Sequence, residues 1–342
     1  MSSRVAELVL YFAAFSASFA LTIVLRRYAL TRPKLVDMPN ERSSHQIPTP
    51  RIGGVAIVLT FLAGLPILVS AGLVAPPTAF GLAGGGALVA AVGLLDDRGD
   101  VPARWRLLAH FASAAWVLAW LGGGPALQVF GHSVTFGLVD FVLYALYLVW
   151  LLNLYNFMDG VDGIAGVEAT TVCLGATLVH GLAMPAGAGT AVPLLLLSVV
   201  LGFLVWNFPP AKIFMGDVGS GFLGITLGAL SIDAAWRAPA LFWSWVILLG
   251  VFVVDATVTL FRRVSRGEKF YIAHRSHAYQ YATRKLGSHG RVTVTVGLIN
   301  LFWLLPLSLL VGLGLVSGVV GLCVHSGRRR PVNPDRAQDT AD

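Results

Sequence analysis

Long apolar blocks alternate with short polar ones from residue 5 to residue 325. The blocks lie at 5–25, 52–72, 78–95, 105–121, 138–152, 164–182, 190–206, 219–235, 240–261, 292–306 and 309–325. Most approach the ~20 residues that a helix needs to cross hydrocarbon. In lipid the backbone must satisfy its own polar groups, and a helix does this within one segment. The pattern therefore predicts an all-α, polytopic transmembrane bundle of about eleven spans. The closest break falls within "LFWLLPLSLL", where only Pro306 and its neighbours are left to turn the chain between the last two spans.

Composition strengthens this reading. Of the 342 residues, 56% are hydrophobic and 12% charged, about half the charge of a soluble domain. The net charge of +7 would suit nucleic acid, but its distribution points to topology instead. Connections after odd-numbered spans hold 22 of the 24 lysines and arginines, leaving only Arg4 and Arg237 on the other side. The positive-inside rule then sets the N-terminus outside and the C-terminus in the cytoplasm. The expected location is the inner, cytoplasmic membrane, with the lipid bilayer as partner and no nucleic acid. Ser18 and Ala20 are small enough for a signal-peptide cleavage site, but removing the first span would disturb that charge partition. Residues 1–327 read as one transmembrane domain and 328–342 as a disordered polar tail. Cys173 and Cys323 sit in apolar runs and read as packing residues.

Five polar clusters follow spans one, three, five, seven and nine, so all are expected on the cytoplasmic face. They are "DMPNERSSHQIPTPRIGG" (37–54), "DDRGD" (96–100), "NLYNFMDGVDGIAG" (153–166), "NFPPAKIFMGDVGS" (207–220) and the basic stretch 262–291. Ionisable groups beside a bilayer are costly and are candidates for function. A lone aspartate is more often a solvated helix cap, but five such clusters on one face make that reading hard to sustain for all. Asp96 and Asp97 are adjacent and repel unless a cation or donors compensate. Asn153, Asn156, Asp159 and Asp162 are spaced by three, which on a helical turn puts neighbours on one side. Asp217 follows a glycine in "FMGDVGS". Oxygen donors without cysteine or paired-histidine spacing suit Mg²⁺, with Mn²⁺ as the alternative. Arg51, Arg98, Arg104, Arg106 and Lys212 surround the acids, and the basic loop adds His274, Arg275 and His277. Acids for a metal ringed by bases for anions suggest phosphoryl transfer. Asp255 lies about two turns inside its span and reads as a structural pairing.

"HQIPTPRIGG", "GLLDDRGD", "NLYNFMDGVDGIAG", "NFPPAKIFMGDVGSGFLG" and "HRSHAYQ" together resemble the polyprenyl-phosphate N-acetylhexosamine-1-phosphate transferases, in that family's order, over about residues 37–290. The resemblance implies that a polyprenyl phosphate attacks the sugar-linked phosphorus of a UDP-N-acetylhexosamine and UMP leaves. It implies Mg²⁺ at Asp217 with Asp97 near it, and catalytic roles for Asp96, Asp97 and Asp159. Arg51, Asn153, Asn156, Asp162, Lys212, His274, Arg275 and His277 would contact substrate. Whether an aspartate acts as base or as nucleophile stays open. Arg51 replaces the peptidoglycan translocase pattern, and "HRSHAYQ" replaces its triple histidine. The resemblance is therefore nearer the branch that begins O-antigen chains, some of whose members use N-acetylfucosamine or N-acetylquinovosamine and others N-acetylglucosamine. An ion- or proton-coupled transporter is the competing class, and a homo-oligomer is an open alternative to a monomer.

Overall fold

A computed structural model describes residues 3–38, 47–99, 101–130, 132–268 and 276–319. The chain folds as a helical bundle. Its helices are α1 (Ser3–Leu30), α2 (Gly54–Ser70), α3 (Pro76–Asp96), α4 (Ala103–Leu121), α5 (Leu138–Met158), α6 (Ile164–Ala183), α7 (Ala191–Asn207) and α8 (Asp217–Arg237). There follow α9 (Pro239–Leu248), α10 (Gly250–Ser265), α11 (Ala278–Leu286), α12 (His289–Ile299) and α13 (Leu305–Gly312). Two antiparallel ribbons qualify the all-α expectation. One pairs β1 (Val36–Asp37) with β2 (Thr49–Pro50), and the other pairs β3 (Leu127–Val129) with β4 (His132–Val134).

The centre of the bundle is α8, with 94% of its apolar window buried against 22% for α1. Small residues explain why. A lipid environment offers no hydrophobic drive between helices, so close backbone packing has to hold them together. A Cβ added at Gly54 would lie 2.4 Å from the Cα of Gly219, and one at Gly224 would lie 2.7 Å from the Cα of Leu152. Glycines thus let α2 and α5 press directly onto α8. The first helix joins through Ser18, whose hydroxyl donates to the Val199 carbonyl of α7 at 2.6 Å.

Among the described residues, six helical units are long and apolar enough to cross a bilayer, and α9 with α10 makes a seventh unit bent by 73°. Two more, α2 and α7, are apolar but have 17 residues each. The expected break at Pro306 does not occur: His289–Gly312 is one continuous unit. Proline removes an N–H and its ring clashes with the carbonyl four residues earlier. Here a π-helical turn at Asn300–Leu304 immediately precedes it and widens the coil to make room. The chain turns later, through Leu313–Ser317. The span expected at 309–325 therefore does not begin at 309, since 309–312 belong to the preceding unit and 313–317 form the turn; residues 320–325, with Cys323, and the tail lie outside the described residues.

Candidate active site

The start of α8 organises one end of the bundle. Residues 213–215 run alongside β2 and the entry to α2: the Phe214 N–H donates to the Pro50 carbonyl at 2.7 Å. Gly53 and Gly54 donate in turn to the Phe214 and Met215 carbonyls. Gly216 then turns the chain with φ +74°, a conformation that favours glycine. A Cβ there would sit 2.6 Å from Asp97 Oδ2. Asp217 is consequently the first residue of α8, where backbone N–H groups lack helical partners. Asp97 supplies them. Its Oδ1 accepts the Asp217 N–H and its Oδ2 the Val218 N–H, each at 3.1 Å.

Arg51 closes this arrangement. Its Nη2 is 2.7 Å from Asp217 Oδ1 and its Nε is 3.1 Å from Asp97 Oδ1. One guanidinium thus bridges two carboxylates that would otherwise repel. Asp96 points elsewhere with one oxygen, pairing with Arg106, and accepts the Val101 N–H at 2.9 Å with the other. It still lies beside Asp217, as does Asn156. Asp159 ends α5 and feels Arg51, Asp217, Asp97 and Asp162. Burial raises its carboxyl to about 7; Arg51 opposes the rise and the three aspartates add to it.

The other expected site residues have different surroundings. Helix α5 stops at Met158, so the three-residue spacing does not continue as a helical face through Asp162. Asn153 donates its amide to the Val149 carbonyl of its own helix at 2.7 Å. Asp162 is a tie: Oδ2 accepts the Ala211 N–H, Oδ1 is 3.1 Å from His289 Nδ1, and its carbonyl accepts the Thr293 hydroxyl. Lys212 is exposed, its ammonium 5.2 Å from the Trp206 ring centroid. His274 and Arg275 lie outside the described residues. His277 is buried, with Nδ1 3.5 Å from Asp255 Oδ1. Asp255 is structural, as expected: it accepts backbone N–H groups at the start of α11. Reading the sequence missed Arg106 as the partner of Asp96, although it lies only ten residues away. It also missed Asn207, which receives the Gly163 N–H and donates to the Ile213 carbonyl. The motif strings contain Asn207, but nothing local identifies those partners.

The donor chemistry fits a hard divalent cation with one change to the expected shell. Asp97 has both oxygens taken up by amides and Arg51, and Asp96 meets Arg106 and the Val101 N–H, which leaves Asp217, with Asp96 and Asn156 beside it, as the principal carboxylate for a cation. Among the described residues no three acids, histidines or cysteines form a complete cage. Magnesium does not need one, because it is commonly held by one or two carboxylates with substrate phosphates and water.

Residues 79–235 match the model of glycosyl transferase family 4. A candidate glycosyltransferase of Streptomyces coelicolor is 30% identical over 323 residues, covering 92% of this chain and 70% of its own. A probable undecaprenyl-phosphate N-acetylglucosaminyl 1-phosphate transferase of Bacillus subtilis is 28% identical, covering 77% of this chain and 75% of its own. The decaprenyl-phosphate N-acetylglucosaminephosphotransferase of Mycobacterium tuberculosis is also 28% identical, covering 79% and 74%. The matched segment runs from α3 to α8 and contains Asp96, Asp97, Asn156, Asp159 and Asp217, which the fold brings together. On the extent of these matches, the chain belongs to glycosyl transferase family 4, among the polyprenyl-phosphate N-acetylhexosamine-1-phosphate transferases.

Proposed function

We propose that this protein transfers an N-acetylhexosamine 1-phosphate from a UDP-sugar to polyprenyl phosphate at the cytoplasmic face of the inner membrane. A lipid phosphate oxygen forms a bond to the sugar-linked phosphorus, the bond to the bridging oxygen of the UMP phosphate breaks, and UMP departs. The observation that carries this reading is the position of Asp217 at the start of α8. It is gripped by Arg51 and seated on Asp97, with Asp96, Asn156 and Asp159 around it.

The roles follow from the surroundings. Asp217, with Asn156 beside it, would hold Mg²⁺ or Mn²⁺. When bound, that cation supplies the compact positive charge that two anionic substrates require. Asp97 keeps α8 in place, so it acts by positioning Asp217. Arg51 is half-exposed and can share its guanidinium with a donor phosphate. Asp159, with its proton affinity near neutrality, is placed to take a proton from the lipid phosphate. His274 and Arg275 remain proposed phosphate contacts from the basic loop, and Lys212 a peripheral one.

N-acetylglucosamine is the first sugar to test, because the named relatives act on it. N-acetylfucosamine and N-acetylquinovosamine follow, with an O-antigen-type glycan as the proposed destination. The transporter reading finds no support. Transporter sites lie near the midplane on repeated halves, whereas these acids gather at one end of the bundle and the named relatives are transferases. The test is to incubate membranes with polyprenyl phosphate and a panel of UDP-sugars. UMP release and a diphosphate-linked lipid in the mass spectrum are expected; neither product from any sugar would end this reading.

A further inference from the structure

Asp255 lies on α10, beyond the 73° bend that separates it from α9. Its side chain is 3% exposed, and its charge is met by the buried His277, whose Nδ1 is 3.5 Å from Oδ1, together with backbone and hydroxyl donors. Oδ1 accepts the Ala278 N–H at 2.9 Å, Oδ2 accepts the Tyr279 N–H at 3.0 Å, and the Thr259 hydroxyl donates to Oδ1 at 3.2 Å. These are orphan donors at the start of α11, so Asp255 fixes that helix end as a cap from another element.

The helix so fixed presents Tyr279. Its ring is buried and stacks on His277 with 5.8 Å between centroids. Its hydroxyl donates to the Phe157 carbonyl at 3.0 Å. Phe157 belongs to the last turn of α5, whose carbonyls have no partner within the helix. From within, the Asp159 N–H closes on the Asn156 carbonyl at 3.2 Å. Gly160 admits the phenol: a Cβ there would lie 2.0 Å from the Tyr279 oxygen. Burial, then Asp159 and Asp255, hold the phenol far above its ordinary range, so it acts as a permanent donor.

The path therefore starts at a carboxylate outside the Asp217 cluster and ends on the backbone between Asn156 and Asp159. We infer that Asp255 and Tyr279 are positioning residues that clamp the end of α5, holding Asn156 and Asp159 in register with Asp217. This assignment rests on the proposed transferase reading for its catalytic consequence but not for its structural one.

Two measurements on the purified full chain in detergent test it. The variants are Tyr279→Phe, which removes one oxygen and keeps the ring, Asp255→Asn, and the double variant. The first measurement is hydrogen exchange in the peptide covering residues 155–164. Exchange should accelerate to a similar degree in both single variants, with the start of α8 unchanged. The second is UMP release. Loosening a catalytic group by about an ångström can cost tens of fold in rate, so kcat should fall about tenfold or more while KM for the sugar nucleotide moves little. The double variant should lose no more than Asp255→Asn alone, because both act along one path. Unchanged exchange at 155–164, or losses that multiply, would overturn the clamp. If the wild-type protein releases no UMP, the transferase reading fails and the exchange measurement alone decides the clamp. If Asp255→Asn does not fold, Tyr279→Phe and Gly160→Ala take over: both must loosen the same peptide, and failure of either to do so counts against it.

Discussion

Asp97 and Asp217 are 120 residues apart, yet the Asp97 carboxylate accepts the Asp217 backbone N–H at 3.1 Å while Arg51 bonds to both side chains. Two acids that look equivalent in the sequence therefore have different duties. Asp97 faces amides and serves as a cap; Asp217 meets Arg51 through Oδ1.

Exchanging each for asparagine should separate these duties. Asp97→Asn turns one acceptor into a donor facing a backbone N–H, which costs about 1–3 kcal/mol for an unsatisfied buried group. Its thermal midpoint should drop, with activity falling as α8 shifts. Asp217→Asn should unfold near the wild-type temperature yet lose activity and any Mg²⁺-induced stabilisation. Thermal scans with and without Mg²⁺, beside UMP release, read both. A fully active Asp217→Asn, or full activity after EDTA treatment, would defeat the metal role.

Arg51 should be the most sensitive basic residue. Arg51→Ala leaves Asp97 and Asp217 facing each other without compensation, so turnover should fall by about two orders of magnitude, as for other lost charge-stabilising donors. Arg51→Lys keeps the charge but not the fork that reaches two carboxylates, and should recover only part. Equal turnover in Arg51→Lys and wild type would mean that the bridge is dispensable.

The pH profile should reflect Asp159. Its carboxyl, raised to about 7 chiefly by burial, binds its proton more tightly in the fold than in the unfolded chain. Its stabilising contribution is thus fullest at acid pH and is lost as pH climbs from about 4 toward 7. Activity should run the other way, rising through pH 7 as the base loses its proton. Asp159→Asn should lack that rising limb and show a flatter stability profile. Rate and unfolding midpoint measured across pH 5–8 check both.

Topology can be tested without activity. A cysteine placed at Gly123, in the connection before the β3–β4 ribbon, should react with an impermeant maleimide added outside intact cells. One at Ser265, the last residue of α10, should not. The reverse labelling would turn the proposed active face outward.

The apolar blocks were enough to read most helices, because a bilayer imposes its length rule locally along the chain. The five polar strings were enough to read the family and to bring Asp96, Asp97, Asn156, Asp159 and Asp217 forward together. Tertiary structure decided which partner each acid faces. Asp97 meets the N–H groups of α8, Asp162 ties Ala211 to α12, and Asp255 caps α11 only once helices distant in sequence pack side by side. Pro306 shows the same limit: whether a proline breaks a helix depends on the backbone before it, and the π turn at Asn300–Leu304 absorbs this one. Hydrophobicity is a property of a segment, whereas a hydrogen bond needs two groups within about 3 Å, and only the folded bundle brings them that close.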